Sequence, residues 1–158
     1  MSAPRIGDTV PDFCRPATGD KTLCLKDFAG RNLVLYFYPK DSTPGCTQEG
    51  KDFRDHYAEF QALNTDILGV SRDSLRRHEN FKAKQEFPFD LLSDEDESLC
   101  RAFDVIRKKK LYGKEFMGIE RSTFLIDGNG VLRREWRKVR VPGHVEEVLE
   151  AVRELAGG

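Results

Sequence analysis

Apolar and polar positions change period several times along the chain, and each change marks an element. Leu33 to Tyr38 is continuously apolar and aromatic, as a strand buried on both faces of a sheet would be. After it, Phe53, Tyr57, Phe60 and Leu63 recur at helical intervals opposite a charged face, which predicts one helix over Thr43 to Leu63. Ile67 to Val70 reads as a strand, and Ser74 to Gln85 as a helix carrying Leu75, His78 and Phe81 at spacings of three. Phe89 to Leu92 reads as another short strand. Ser93 is then expected to cap a helix whose early acids, Asp94, Glu95, Asp96 and Glu97, suit the positive helix end.

The two ends of the chain are more broken. Ile6 to Leu25 carries short extended pieces interrupted by Pro11, Pro16 and Gly19-Asp20, which predicts a hairpin and then a short turn at Lys26 to Gly30. The basic, glycine-containing segment Arg107 to Gly118 has no clear period and reads as a long loop. Ser122 to Ile126 and Val131 to Trp136 flank Asp127-Gly128-Asn129-Gly130, a hairpin signal. Pro142-Gly143 precedes a last amphipathic helix with Val145, Val148, Leu149, Val152 and Leu155 as its stripe. Strands that alternate with helices and close on a hairpin predict an α/β fold with a mixed sheet. The 158 residues hold no repeat or linker and suit one domain, 1–158.

Composition removes several classes of function. With 26 basic and 27 acidic residues the formal net charge is -1, which gives no bulk drive toward nucleic acid. Arg107-Lys108-Lys109-Lys110 and Arg133-Arg134 then read as solvated faces. No basic head precedes an apolar signal core, and no window stays apolar over the roughly 18 residues of a membrane span, so a cytoplasmic chain is expected. Cys14, Cys24, Cys46 and Cys100 contain no Cys-x-x-Cys and no clustered Cys/His pattern, so no structural metal is expected and a reducing compartment fits the set. His56, His78 and His144 are assigned to surface or packing roles.

One cysteine stands apart by its place. Thr43 can cap the helix that follows the apolar strand, Pro44 suits the first helical position, and Cys46 falls three residues after the cap. A capping box puts an acid or amide in that slot. A thiolate there would feel the positive end of the helix, which favours the charged form. The preceding strand aims this loop from its carboxyl end, where open α/β sheets place their chemistry.

Here the residues match a family. Pro39, Thr43 and Cys46 fit the Pro-x-x-x-Thr-x-x-Cys signature of peroxiredoxins, and Thr43-Pro44-Gly45-Cys46-Thr47 followed by Glu49 resembles the bacterioferritin-comigratory, or PrxQ, subfamily. The resemblance extends through Gly69-Val70-Ser71, Phe87-Pro88-Phe89, Tyr112-Gly113-Lys114, the run from Arg121 to Asp127, and Val139 to Leu149. It implies a thioredoxin-like fold and a thiol peroxidase that reduces hydrogen peroxide and organic hydroperoxides through a Cys46 sulfenic acid, with no cofactor. It also implies donors around the sulfur: the Thr43 hydroxyl, backbone N–H groups near Gly45 and Cys46, and the Arg121 guanidinium. Pro39 would shield the thiolate, and Glu49 would hold the arginine.

The departures concern regeneration. Relatives carry a resolving cysteine five residues after the peroxidatic one or in the next helix, where this chain has Lys51 and Lys82. Cys100 remains as a possible resolving residue, but Leu99 and Phe103 beside it suggest core packing. Structural roles are expected for Cys14 and Cys24. A one-cysteine cycle follows, recycled by thioredoxin, the family's usual donor, or by glutathione or glutaredoxin. The resemblance implies a monomer, with a weak dimer as the alternative. Two other classes stay open: a redox relay that passes oxidation to a partner, and a holdase-type chaperone.

Overall fold

The computed structural model describes residues 3–157. Its strands are β1 (Cys14–Ala17), β2 (Lys21–Cys24), β3 (Asn32–Phe37), β4 (Thr65–Ser71), β5 (Asp90–Ser93), β6 (Ile106–Leu111), β7 (Lys114–Ile119), β8 (Ser122–Ile126) and β9 (Leu132–Trp136). The helices are α1 (Pro44–Asp55), α2 (Tyr57–Ala62), α3 (Leu75–Gln85), α4 (Ser98–Ala102) and α5 (His144–Gly157), with a 3-10 turn at Leu25–Phe28. Seven strands form one mixed sheet in the order β2-β1-β5-β4-β3-β8-β9, while β6 and β7 pair only with each other. At its centre β3, β4 and β5 run parallel, and β8 runs antiparallel to β3.

Strand β3 divides the core in two, because successive side chains of a strand point to opposite faces. Leu33, Leu35 and Phe37 face a cluster with Cys100, Phe103, Val105 and Ile119. Val34, Tyr36 and Tyr38 face another with Cys46, Phe53, Phe60, Phe81 and the α5 stripe of Val145, Val148, Leu149 and Val152. The expected two-faced burial of this strand is what the structure has. The mixed sheet flanked by helices also agrees with the sequence pattern.

Several local expectations are corrected. The helix expected over Thr43 to Leu63 is two helices, because His56 (φ -103, ψ 5) leaves the helical region between α1 and α2. The expected loop over Arg107 to Gly118 is the β6–β7 hairpin, closed at Tyr112 (φ 51) and Gly113 (φ 78). Left-handed values at both positions are those of a tight hairpin turn. Its alternation is hidden because Arg107, Lys108, Lys109 and Lys110 put charge on both faces. Ser93 ends β5 instead of capping a helix, and its hydroxyl donates to the Asp73 carbonyl. The helix starts later, at Ser98, where Asp94 accepts the N–H groups of Leu99 and Cys100.

Cys14 and Cys24, for which structural roles are expected, are joined by a disulfide, a pairing that the expectation of a reducing compartment did not include. The cause is register, since the two residues stand directly opposite each other on the β1–β2 hairpin. Cys46 and Cys100 are the free cysteines, and both are buried.

Candidate active site

The carboxyl end of β3 delivers the chain to a bend at half-buried Pro39, a loop through Ser42, and α1. Thr43 (φ -83, ψ 155) is the residue before the helix and Pro44 opens it, as the sequence predicts. The Thr43 side chain, however, makes no capping bond. Its hydroxyl donates instead to the Lys40 carbonyl at 2.9 Å. The hydroxyl hydrogen is thereby committed, and the oxygen offers its lone pairs. The N–H groups of Gly45 and Cys46 lie in the first helical turn, where no helical carbonyl satisfies them.

Cys46 is 2% exposed and packs in the aromatic cluster below Tyr36 and Tyr38. Arg121, just before β8, reaches it from the strand next to β3, where Ser122 pairs with Phe37. One guanidinium nitrogen, Nη2, lies 3.4 Å from Cys46 Sγ, and Nη1 donates to Glu49 Oε1 at 2.7 Å. Gly45 makes room for this approach, because a Cβ there would stand 3.1 Å from Arg121 Nη2. The family resemblance implied both roles for Arg121 and Glu49, and the structure brings the three side chains together.

The electrostatics of the trio follow from burial. Glu49 is completely buried, and burial pushes its carboxyl up to about 7 even though Arg121 pulls it down. Burial works against the Arg121 charge, but Glu49 and Cys46 outweigh it and raise its pKa above the ordinary value. A cation held in place by a buried acid is preorganised to stabilise negative charge on sulfur or on a leaving oxygen.

Residues beyond the expected set also face this region. Half-buried Lys109 lies along the hairpin, and its pKa is lowered by burial and then by Arg121, with Cys46 opposing. Its place in a run of four cations disguised it. Tyr36 is fully buried, and burial followed by the charges of Glu49 and Cys46 raises its pKa well above the usual phenol. Asp41, Asp73 and His78 come close enough to hold a cation, yet their facing atoms are already engaged with one another, with Tyr38, with Ser71 and with the Leu92 carbonyl.

Two positions considered for a resolving thiol are buried or ion-paired. Cys100 is fully buried on the other face of the sheet from Cys46, and burial and then Asp94 push its thiol far up. Lys82 is ion-paired to Asp90 at 2.7 Å, with Lys21 on the same carboxylate at 2.9 Å.

Comparison with known proteins identifies the family and the fold. The family model described as AhpC/TSA matches residues 6–135. A peroxiredoxin Bcp of Xanthomonas campestris is 56% identical over 136 residues, covering 86% of this chain and 85% of that protein. The peroxiredoxin Bcp of Bacillus subtilis is 50% identical over 151 residues, covering 96% of each. Among solved structures, a Cys-to-Ser mutant of Xylella fastidiosa PrxQ superposes with a TM-score of 0.93 at 46% identity over 99% of each chain. The Xanthomonas campestris bacterioferritin comigratory protein, solved as trapped intermediate and ligand complexes and described for its alkyl peroxide reduction, gives 0.90 at 49% identity over 99% of each chain.

Proposed function

Because the chain belongs to the AhpC/TSA family and is a peroxiredoxin of the PrxQ type, a thiol peroxidase with a thioredoxin-like fold, we propose that Cys46 is its peroxidatic thiol and that residues 1–158 form one peroxidase domain. The Cys46 thiolate attacks one oxygen of R–O–O–H, the O–O bond breaks, and the other oxygen leaves as alcohol or water once protonated. The sulfur is left as sulfenic acid. Arg121 stabilises the charge that moves from sulfur to the leaving oxygen, the first-turn N–H groups add to it, and Thr43 Oγ accepts the peroxide hydrogen. Pro39 shields the sulfur from water. Hydrogen peroxide and organic hydroperoxides are the substrates, in line with the alkyl peroxide reduction described for the Xanthomonas relative.

The observation that carries this reading is the Arg121 fork, with Nη2 3.4 Å from Cys46 Sγ and Nη1 2.7 Å from Glu49 Oε1. Stopped-flow peroxide decay tests it: Cys46→Ser is expected to abolish consumption while keeping the fold. Wild-type decay in that variant would overturn the assignment.

Regeneration proceeds by a one-cysteine cycle with an external thiol, thioredoxin or glutathione with glutaredoxin. Lys51 and Lys82 hold the usual thiol positions, and the sheet separates Cys100 from Cys46. The protein acts as a cytoplasmic monomer, which size-exclusion chromatography and cell fractionation would test. The Cys14–Cys24 bridge favours a second reading of this half-cycle, since Cys14 is exposed and cytosolic disulfides are commonly redox-active. A reduced Cys14 and Cys24 pair would then supply two electrons to the sulfenic acid and be re-reduced outside. The sulfenic acid lifetime separates the two: the doubly substituted Cys14→Ser, Cys24→Ser protein matches the reduced wild type under the first reading and outlasts it under the second.

A further inference from the structure

The loop between β3 and α1 is held by a buried hydrogen-bond network of Tyr38, Asp41 and His78, separate from the hydrogen bond that Arg121 makes to the sulfur. Asp41 is 5% exposed and His78 is fully buried. Asp41 Oδ1 accepts from the Tyr38 hydroxyl at 2.6 Å, and Oδ2 lies 2.6 Å from His78 Nδ1. His78 Nε2 lies 2.9 Å from the Leu92 carbonyl oxygen, which can only accept, so Nε2 carries a hydrogen. Asp41 and Nδ1 therefore share one further proton, and the pair stays bridged whichever side holds it.

The same residue fixes the backbone. The Asp41 N–H donates to Asp73 Oδ2 at 2.9 Å, and the Lys40 carbonyl accepts the Thr43 hydroxyl at 2.9 Å. These are the two polar ends of a single planar peptide unit. Its orientation sets the direction of the Thr43 hydroxyl. Ser42, between Asp41 and Thr43, has φ +65, a left-handed value that costs free energy outside glycine and persists only where the surroundings hold it.

We propose that Asp41 and His78 are positioning residues for the peroxide step, acting through the Lys40–Asp41 peptide to aim the Thr43 hydroxyl at the peroxide that Cys46 attacks. The proposal rests on Cys46 as the peroxidatic thiol. What the bridge requires is hydrogen bonding and not charge. Asparagine at position 41 can accept from Tyr38 through its oxygen and donate to neutral His78 through its amide, so it keeps both links. Alanine breaks both.

The experiment pairs peroxide consumption by stopped flow with alkylation of Cys46 by iodoacetamide, a neutral reagent that does not use the Thr43 hydroxyl. His78→Leu and Asp41→Ala are expected to slow the peroxide step by about tenfold or more, the scale of a misplaced catalytic group, while alkylation moves less than about threefold. Asp41→Asn restores most of the rate that Asp41→Ala loses. In a Thr43→Val background His78→Leu costs little further, because the two changes remove one shared effect. Independent, multiplying losses, a parallel fall in alkylation, or a wild-type peroxide rate in Asp41→Ala would each overturn the proposal. Should His78→Leu fail to fold, Asp41→Ser enters the same cycle. Failure of the Cys46 assignment shows separately, as peroxide consumption by Cys46→Ser.

Discussion

Arg121 and Glu49 meet at 2.7 Å across 72 residues of sequence, and the free fork of the same guanidinium lies 3.4 Å from Cys46 Sγ. Glu49 is completely buried and its Oε2 has no hydrogen-bond partner among the described residues. A buried acid with a single anchor is costly unless its cation stays in place. The pair therefore fixes the guanidinium in one plane against the sulfur.

Arg121→Lys should lose that plane, because an ammonium lacks the planar fork that can bind Glu49 and the peroxide together. The peroxide step is expected to fall by roughly a hundredfold, the usual cost of removing one preorganised donor. Stopped-flow decay of hydrogen peroxide measures it. A rate within about twofold of wild type would remove Arg121 from the chemistry, given that donor-loss magnitude.

The Thr43 hydroxyl hydrogen is already donated to the Lys40 carbonyl, so in the proposed mechanism only its oxygen acts on the peroxide. Thr43→Ser should therefore keep most of the rate and Thr43→Val should lose it, with far less change in alkylation by iodoacetamide. Equal slowing of both reactions in Thr43→Val would mean that the hydroxyl serves only the sulfur.

Cys100→Ser should turn over almost normally with an external thiol, because the sheet lies between that thiol and Cys46. Protein treated with one equivalent of peroxide should carry a trappable sulfenic acid on Cys46. Intact-mass analysis and peptide mapping decide the point. A stoichiometric Cys46 to Cys100 disulfide would require local unfolding and would end the one-cysteine cycle.

His144 is expected to set a pH dependence of stability. Its Nε2 lies 2.8 Å from Thr123 Oγ1, and burial lowers its pKa from 6.5 to about 4. The folded chain stays neutral there while the unfolded chain takes up a proton, so this contribution is complete above pH 6.5 and is lost as pH falls toward 4. Glu49, raised from 4.5 to about 7, works with the opposite sign, and its contribution is lost as pH rises through that window. Comparing wild type with His144→Gln isolates the histidine: near pH 5 the wild type should take up about one more proton on unfolding. Urea unfolding across pH measures this, and equal slopes for the two proteins would show that His144 is charged in the fold.

What the sequence made legible was local. The apolar run of β3, the Pro44 helix start, the Asp127 to Gly130 turn and the α5 stripe each carry their cause in adjacent residues. The nearness of Arg121 and Glu49 to Cys46 came from the family resemblance, since periodicity contains no information about contacts across 72 residues. The β6–β7 hairpin stayed hidden because it buries few side chains and has no apolar alternation to read. The disulfide depended on a one-residue choice of strand register, which two short strands full of polar residues do not announce. His78 looked like packing by its helical spacing, and its partner Asp41 lies in a loop that has no period at all.

Lys82 has a significance beyond the thiol it replaces. Asp90, on β5, gathers the Lys82 ammonium from α3, the Lys21 ammonium from the edge hairpin and the Thr18 hydroxyl beside it. One carboxylate thus ties a helix, an interior strand and the sheet edge into a single knot. Grafting a cysteine at this position would cut one strand of the knot and loosen the attachment of the N-terminal hairpin, so a designer placing a thiol there would have to rebuild the sheet edge as well as supply the sulfur.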